Sequence, residues 1–290
     1  MENTVDFLKE VLRIISERDP FHMRTLKRQV SLGREFNALK EHICTYFEIS
    51  GIPPMVVADD YLRMIGDMRR EGGYFMLYDK YSCKNQAEAY EKVYSKPEIM
   101  RYYINALLIS QLLWKHHFNM LRYFRQTLSA IAYRSDNFRV LDVGSGHGLF
   151  SWVIKTQVPS YGSIDILDIS TTSLEMTRRM IGDEGISYLH TELSQANPVN
   201  KYELIILGEI LEHMDDPIAM LQDAMKLLSS KGMIFFTVPT NAPAIDHVYL
   251  FRNKADVMKM IEQAGLTWIT TKTERADSST ELIGALCIKK

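Results

Sequence analysis

The sequence predicts an α/β fold, with a doubly wound and mostly parallel sheet in its C-terminal half and an all-helical region before it. From residue 138 onward, short apolar runs alternate with segments of helical spacing, the order typical of βαβ units. Before residue 135 the spacing is helical almost throughout and strand signals are few. We place the boundary at Ser135–Asn137, which gives a helical domain over 1–134 and an α/β domain over 135–290.

In the helical region, proline and glycine mark where helices end. Asp19-Pro20 breaks the first helix, and the segment from Gly51 to Pro54 stops the next helical segment. The predicted helices are Thr4 to about Arg18, Arg24 to Phe47 as one or two helices, Asp59 to Arg70 ended by Gly72-Gly73, Gln86 to Tyr94, and the long stretch from Pro97 to Tyr133.

The α/β half is predicted from apolar runs of strand length and from capping residues. Pro217 follows Asp215 and Asp216, so a helix is expected to begin there. Further helices are expected over 147–157 and 253–264, the last stopped by Gly265. The predicted strands are 138–143, 164–169, 186–191, 203–207, 233–238 after a turn at Ser229–Gly232, 266–271 and 285–289.

A glycine-rich turn joins the first strand to the next helix. Residues 140–148 read Val-Leu-Asp-Val-Gly-Ser-Gly-His-Gly. Glycine permits positive φ and close approach of the backbone, and the N–H groups at a helix start favour an anionic ligand group. A nucleotide-like cofactor is therefore expected here. A dinucleotide fingerprint would need glycine where Leu149 stands, and a turn that only connects strand and helix is the alternative.

The spacing D-x-G-x-G-x-G resembles motif I of the class I S-adenosylmethionine (SAM)-dependent methyltransferases. The resemblance covers roughly residues 131–290 and implies a Rossmann-like seven-stranded sheet, mostly parallel with an antiparallel last strand. It also implies that SAM is the cofactor. In this interpretation Asp142 faces the cofactor's ammonium. The turn of Gly144, Ser145, Gly146, His147 and Gly148 then holds the methionine end.

Further cofactor contacts are expected at the ends of the following strands. Asp168 lies about 20 residues after the last glycine, where an acid binds ribose hydroxyls, and Ile169 would lie against the adenine. Asp165 should point to the other face because side chains alternate along a strand. By resemblance, Glu192 takes the place of an acid near the adenine edge, and Gly208 after the fourth strand also contacts the cofactor.

The candidate catalytic residues follow the fourth strand, in Glu209-Ile-Leu-Glu212-His213, with His247 in the loop after the fifth strand. If a helical turn begins there, Glu209, Glu212 and His213 share one face. Three roles stay open for this group: structural or cofactor contacts, a divalent metal site, or a general base at an imidazole. Similar E-x-x-E-H patterns with a distal histidine occur in small-RNA 3′-terminal and ubiquinone-pathway O-methyltransferases, where they imply a metal that lowers a hydroxyl's pKa.

The helical region departs from the resemblance, and we expect it to cover the substrate, because an enclosed site favours methyl transfer. Its aromatic side chains either form a substrate wall or belong to the core, and a homodimer interface is a third use of this region. The candidates for the wall are Tyr74, Tyr78, Tyr81, Tyr102, Tyr103, Trp114, His116 and His117.

Composition narrows the function further. The formal net charge is −2 and basic tracts interleaved with aromatics are lacking, which disfavours a nucleic-acid partner. The three scattered cysteines and the lack of a spanning apolar run predict a cytoplasmic protein without disulfides or a membrane segment. No Asn-Pro-Pro-Tyr follows strand four, so a small-molecule hydroxyl or amine is the expected acceptor. A SAM-binding protein without transfer activity and a 3′-terminal RNA methyltransferase remain alternatives.

Overall fold

The computed structural model describes residues 3–26, 33–132, 138–158, 161–196 and 201–290. The domain boundary predicted at Ser135–Asn137 lies outside these residues, so the division at 134/135 stays a prediction. Within the described part of the chain, no helix is both long and apolar enough to cross a membrane.

Seven strands form one sheet in the order β3-β2-β1-β4-β5-β7-β6. Strands β1 to β5 pair in parallel, and β7 lies antiparallel between β5 and β6. This confirms the predicted doubly wound sheet with its antiparallel last strand. The strands are β1 Phe138–Val143, β2 Tyr161–Asp168, β3 Ile186–His190, β4 Tyr202–Gly208, β5 Leu228–Thr240, β6 Leu266–Arg275 and β7 Glu281–Lys289.

Strand β5 begins earlier than predicted, and the separate turn expected at Ser229–Gly232 is wrong. These residues are instead an irregularity within the strand, where the pairing jumps from Tyr202 with Leu228 to Leu204 with Met233. A Cβ on Gly232 would stand 2.6 Å from the Tyr202 carbonyl oxygen. The glycine therefore permits close approach of two strands. Its neighbours in the sequence predict a turn equally well, so this role could not be predicted from the sequence.

The helices predicted over 147–157 and 253–264 and the helix start predicted near Asp216 are confirmed to within two residues, and a further helix follows the second strand. Asp216 caps its helix by accepting hydrogen bonds from the backbone N–H groups of Ile218 and Ala219, both at 3.0 Å. Asn253 caps the last helix in the same way. Within the described residues this half contains four α-helices, which follow the seven of the helical region: α8 Leu149–Gln157, α9 Thr171–Ile181, α10 Pro217–Leu227 and α11 Lys254–Gln263.

The helical region differs from prediction in several places. The second and fourth helices begin earlier than predicted, at Pro20 and Pro54. The fourth helix, α4 (Pro54–Tyr78), also continues through Gly72 and Gly73 and ends where Asp79 adopts left-handed φ of 54°. Two interior glycines cost only about 1 kcal/mol each, and packing on α1 and α6 outweighs that cost. The seven helices are α1 Asn3–Arg18, α2 Pro20–Leu26, α3 Arg34–Ile49, α4 Pro54–Tyr78, α5 Gln86–Ala89, continued by a π-helical turn over Tyr90–Tyr94, α6 Pro97–Leu113 and α7 Lys115–Ile131.

A further difference is a break in the stretch predicted from Pro97 to Tyr133. Trp114 has extended backbone, with φ −112° and ψ 118°, and its indole N–H donates to the Tyr61 hydroxyl at 2.7 Å. The break separates α6, which packs on α4 and α9, from α7, which packs on α8, β6 and β7. One helix could not make both sets of contacts.

One hydrophobic core joins the helical region to one face of the sheet. It includes Phe47 of α3, Leu108 of α6 and Phe124 of α7 together with Val140 and Phe235 of the sheet. The Phe124 and Phe235 rings lie 4.8 Å apart. The opposite face of the sheet forms a second core with α10 and α11. The helical region thus covers the sheet beside the carboxyl ends of its central strands.

Candidate functional site

A cavity of about 400 Å³ lies at the carboxyl ends of β1, β2 and β4. Strand order reverses beside β1, and such a switch point is the usual ligand site of an open α/β sheet. One side of the cavity is formed by the turn after β1 and the ends of β2 and β4. The other side is formed by the helical region, with Met100, Ile104, Leu107 and Gln111 of α6 and His117, Met120 and Leu121 of α7.

The glycine-rich turn has the conformation that its sequence predicts. Gly144 and Gly148 have positive φ of 63° and 76°. A Cβ on Gly144 would lie 2.3 Å from Ile210 Cδ1, and one on Gly148 would lie 2.8 Å from Thr177 Cγ2. The Thr177 hydroxyl also donates to the Gly146 carbonyl at 2.8 Å. Side chains are therefore excluded at two of these positions by both backbone conformation and packing.

Two aspartates flank the turn inside the cavity. Asp142 accepts a hydrogen bond from Ser151 Oγ at 2.6 Å, and burial, with the nearby charge of Asp168, raises its pKa to about 7. Asp168 accepts from the Ser170 N–H at 2.8 Å and from Ser173 Oγ at 2.5 Å; burial raises its pKa as well. Asp165 points away, as predicted, and accepts from the Tyr202 hydroxyl at 2.6 Å.

Nine of the ten residues predicted to contact the cofactor line the cavity. Gly148 does not, and its left-handed backbone conformation serves the start of α8. Their role in cofactor binding stays a prediction. The nine that line the cavity are Asp142, Gly144, Ser145, Gly146, His147, Asp168, Ile169, Glu192 and Gly208.

The segment after β4 is not the helical turn that was expected from Glu209 onward. Glu209 has left-handed φ of 51°, and its N–H donates to the Thr237 carbonyl of β5 at 3.0 Å. Only Leu211–His213 forms a short 3₁₀ turn. Pairing with β5 therefore continues past the end of β4, and Glu209 does not share one helical face with Glu212 and His213.

Glu212, His213 and His247 nevertheless come together, and all three are buried. Each offers one potential metal-ligand atom, and these atoms lie within 4.8 Å of one another. His213 Nε2 is 3.8 Å from a Glu212 carboxylate oxygen, and the two imidazole rings lie 4.9 Å apart. The loop after β5 is held here because the N–H groups of Val248 and Tyr249 both donate to the Glu212 carbonyl at 2.8 Å.

Asp246 connects this cluster to the helical region. The hydroxyl of Tyr94 donates to one carboxylate oxygen at 3.1 Å, and that of Tyr103 donates to the other at 3.2 Å. His213 Nδ1 lies 3.0 Å from the Asp246 carbonyl and 3.6 Å from its carboxylate. The carbonyl can only accept, so Nδ1 carries the proton and Nε2 is left with its lone pair.

Three buried atoms of the cluster have no hydrogen-bond partner among the described residues: both carboxylate oxygens of Glu212, and Nδ1 of His247. Burial raises the pKa of Glu212 well above its usual range and that of Glu209 to about 7. Burial also lowers the pKa of His247 to about 4. Because unpartnered buried polar atoms are costly, this arrangement fits a site whose ligand completes it.

Of the eight aromatic and imidazole candidates for a substrate wall, Tyr103 and His117 line the cavity. The other six contact protein groups instead. Tyr81 accepts from the Ala242 N–H, Tyr102 donates to Asp67, Trp114 donates to Tyr61, His116 stacks on Trp114, and Tyr74 and Tyr78 contact each other.

Sequence reasoning missed several cavity residues, including Gln86, Tyr94, Gln111 and Asp246. Gln111 Nε2 lies 3.3 Å from His117 Nδ1 and 3.4 Å from His147 Nε2, so it links the helical region to the glycine-rich turn. The adjacent Asp246-His247 pair was a usable signal, because an acid beside a candidate functional histidine often orients it.

Comparison with known proteins agrees with this architecture. A family model described as a methyltransferase domain matches residues 113–274. The chain is 31% identical over 101 residues to malonyl-[acyl-carrier protein] O-methyltransferase 1 of Ilyobacter polytropus, covering 34% of this chain and 37% of that protein. It is 30% identical over 107 residues to a ubiquinone biosynthesis O-methyltransferase of Actinobacillus pleuropneumoniae, covering 34% of this chain and 44% of that protein. The chain thus spans less than half the length of each of these relatives.

Two solved structures share the fold. The N-methyltransferase NodS of Bradyrhizobium japonicum, in complex with S-adenosyl-L-homocysteine, superposes with a TM-score of 0.50 at 16% identity and covers 70% of this chain and 98% of its own. A SAM-dependent methyltransferase from Leishmania major gives a TM-score of 0.52 at 16% identity and covers 69% of this chain and 90% of its own. Since the family model matches more than half of the residues, the chain belongs to the methyltransferase domain family.

Proposed function

We propose that this protein is a cytoplasmic SAM-dependent methyltransferase that acts on a hydroxyl or amine of a small molecule. One observation carries the proposal. A single cavity contains both the glycine-rich turn with its two aspartates and the cluster of Glu212, His213 and His247, beneath an apolar wall from the helical region. Donor and acceptor sites are therefore adjacent, as a direct transfer requires.

In this proposal the turn after β1 holds the methionine end of SAM, with Asp142 facing its ammonium. Asp168, fixed by two serines, accepts hydrogen bonds from the ribose hydroxyls. Ile169 and Glu192 contact the adenine, and Gly208 leaves room beside the sulfonium. A Cβ at Gly208 would lie 2.4 Å from the Phe150 ring, so the close packing of that ring also needs glycine here.

The proposed reaction is a single displacement. A lone pair of the acceptor oxygen or nitrogen forms a bond to the methyl carbon, while the carbon–sulfur pair moves to sulfur and the sulfonium becomes a neutral thioether. The acceptor's proton passes to the Glu209 carboxylate, which lines the cavity and whose pKa of about 7 suits a base near neutral pH. The apolar helical wall excludes water from the cavity. Water would stabilise the localised sulfonium charge of the ground state more than the dispersed charge of the transition state, so its exclusion favours transfer.

We further propose that Glu212, His213 and His247 hold a divalent metal ion. The unpartnered atoms of Glu212 and His247 suit a metal ion. His213 Nδ1 also donates to a backbone carbonyl, as the second nitrogen of a metal-ligating histidine usually does. Bound there, the ion would lower the pKa of an acceptor hydroxyl. Glu209 lies outside the ligand set and remains free to take the proton. Without a metal, His213 Nε2 or His247 becomes the base.

Cofactor binding is tested by titrating the protein with SAM in a calorimeter, with D168A compared against D183A. Asp183 is an exposed aspartate paired with Arg178 outside the cavity. We expect D168A to weaken SAM binding at least tenfold and D183A to leave it unchanged. Transfer is then measured with methyl-labelled SAM on a panel of phenols, catechols and amines. Binding without transfer to any acceptor would support a SAM-binding protein instead, and lack of SAM binding would refute the proposal.

The metal is tested by titrating EDTA-treated protein with Mn²⁺ and Mg²⁺. We expect one site that is lost in E212Q and retained in the control E262Q, which changes a residue exposed on α11. Full activity after exhaustive EDTA treatment, or unchanged binding in E212Q, would eliminate the metal. A homodimer through the helical region stays a prediction, which light scattering on the purified protein decides.

A further inference from the structure

Acidic side chains outnumber basic ones in the lining of the cavity. Eight are carboxylates and four are imidazoles, and the described lining residues include neither lysine nor arginine. Among the described residues only one of the eight acids, Asp223, is paired with a lysine, Lys226 at 2.6 Å. The eight acids are Asp142, Asp168, Glu192, Glu209, Glu212, Asp216, Asp223 and Asp246.

Two of the four imidazoles add no positive charge to the lining of the cavity. His117 and His147 line the cavity, and burial lowers the pKa of His117 well below its usual value and that of His147 to about 4. Both rings are therefore neutral at physiological pH. The side-chain amide of Gln111 lies within hydrogen-bond distance of both rings. The three side chains form a network of neutral polar groups.

Three of the acids belong to the proposed cofactor end, where Asp142, Asp168 and Glu192 face the ammonium, the ribose and the adenine. Of the other five, Asp216 and Asp223 belong to the cap and body of α10. The three at the acceptor end are Glu209, Glu212 and Asp246. Each carboxylate oxygen of Asp246 already accepts a hydrogen bond from a tyrosine hydroxyl. Glu212 is 0% exposed, lines the cavity, and has no hydrogen-bond partner for either oxygen among the residues that the structure describes. This side chain accordingly needs a hydrogen-bond donor or a cation from a ligand.

The remaining wall of the acceptor end is apolar and adaptable. Met100, Ile104 and Leu107 of α6 and Met120 and Leu121 of α7 face the cavity. Methionine side chains accommodate varied shapes. An acceptor that fits this wall has an apolar body, and only its head reaches the acids.

We infer, on the premise that the chain transfers a methyl group, that its acceptor is a small molecule with an apolar body and no anionic group. The head presented to the cluster of Glu212, His213 and His247 is a neutral hydroxyl, or an amine that enters protonated and loses one proton before its lone pair attacks the methyl carbon. Molecules that carry a carboxylate or a phosphate are excluded, because an anion buried in a cavity of low dielectric needs a cationic partner, and the described lining includes no lysine or arginine to supply one.

The test uses three ligands of one shape, titrated into wild-type protein saturated with S-adenosylhomocysteine, with and without Mg²⁺. They are 4-ethylcatechol, dopamine and 3,4-dihydroxyphenylacetate, which are neutral, cationic and anionic. We expect the anionic ligand to bind at least tenfold more weakly than the neutral one, and the cationic ligand to bind as tightly as the neutral one or more so. Equal or tighter binding of the anion, or no binding of any of the three, would overturn the inference.

A charge-introducing variant sharpens the result. Met214 lines the cavity next to His213 and is half-buried, so a lysine can be placed there. M214K should reduce the difference between the anionic and neutral ligands to less than threefold, while M214Q, of similar length and without charge, should keep it. The same preference in M214K and wild type would contradict the electrostatic cause. Failure of the wild type to bind S-adenosylhomocysteine would instead refute the proposed function.

Discussion

Glu212 allows a direct test of whether the cluster is built for a ligand rather than for stability. Its side chain is fully buried and both oxygens lack partners in the described structure, whereas its backbone carbonyl accepts two N–H groups and is unaffected by substitution. Glu212→Met removes the polar atoms and nearly conserves volume. We expect the metal-free variant to be more stable than the wild type and to have lost metal binding.

The magnitude follows from the cost of an unsatisfied buried polar group, about 1–3 kcal/mol. Burial raises the pKa of Glu212 well above its usual range and so favours the neutral carboxyl, and we count only the cost of an unsatisfied neutral group. We therefore expect Glu212→Met to raise the free energy of unfolding by about 2 kcal/mol. At roughly 2 °C per kcal/mol for a chain of this size, the melting temperature should rise by about 4 °C.

Asp246 supplies the matched control. It is buried to the same degree, at 2% exposure, but both of its oxygens accept hydrogen bonds from tyrosines. Asp246→Asn replaces one acceptor by a donor and should lower the free energy of unfolding by about 1–3 kcal/mol. The two buried acids of one site are thus expected to respond with opposite signs.

The measurement is urea denaturation in EDTA at pH 7, followed by circular dichroism, with SAM binding as a check that the cofactor end is intact. A Glu212→Met variant that is destabilised by 1 kcal/mol or more in EDTA would refute the reasoning. So would an Asp246→Asn variant as stable as the wild type, because the tyrosine hydrogen bonds would then contribute nothing.

Three further outcomes are expected. The transfer rate should rise with pH through about 7, because the Glu209 carboxylate must lose its proton to act as a base and burial sets its pKa near that value; Glu209→Gln should lower kcat about 10²-fold or more and abolish this limb, and an unchanged profile would contradict the role. Gly148→Ala should destabilise more than Gly182→Ala, since both have positive φ but only a Cβ at 148 meets another atom below 3 Å, Thr177 Cγ2 at 2.8 Å; equal losses in urea denaturation would disprove the clash. His42 stacks on Trp152 at 4.3 Å, and burial lowers its pKa from 6.5 to about 4. The stability contributed by the neutral ring is present above pH 6.5 and lost as pH falls toward 4, so His42→Phe should reduce the loss between pH 7 and 4.5 by about 2 kcal/mol, as measured by urea denaturation at the two pH values.

The sheet was predictable because its signals are local. Each buried strand is a short apolar run, and the alternation with helices fixes parallel pairing. The glycine-rich turn is local in the same sense, since its three glycines lie within five residues of one another in the chain. The helical region was less predictable. The length of α4, which packs on α1 and α6, and the extended Trp114, which donates to Tyr61, depend on contacts that no window of sequence contains.

The candidate site likewise has features that the sequence predicts and features that depend on distant contacts. The placement of His247 near His213 follows from the adjacency of β4 and β5 and was predicted. The reversal at Glu209 was not, because it depends on a hydrogen bond to Thr237 in the neighbouring strand. The bonds of Tyr94 and Tyr103 to Asp246 were also missed, since they join residues more than a hundred positions apart. Hydrophobic periodicity carries no information about which polar groups meet across such distances.

These tyrosine bonds change what the helical region does in the proposed mechanism. If it were only a cover, its contacts to the cluster would be apolar. Instead, two of its side chains fix the carboxylate of Asp246, whose carbonyl in turn holds the proton on His213 Nδ1 and leaves Nε2 facing Glu212. The same segment that shapes the apolar wall therefore sets the orientation of a ring in the cluster. Enclosure of the acceptor and alignment of the polar groups that receive it follow from one packing arrangement, in which α6 contributes both Ile104 to the wall and Tyr103 to Asp246.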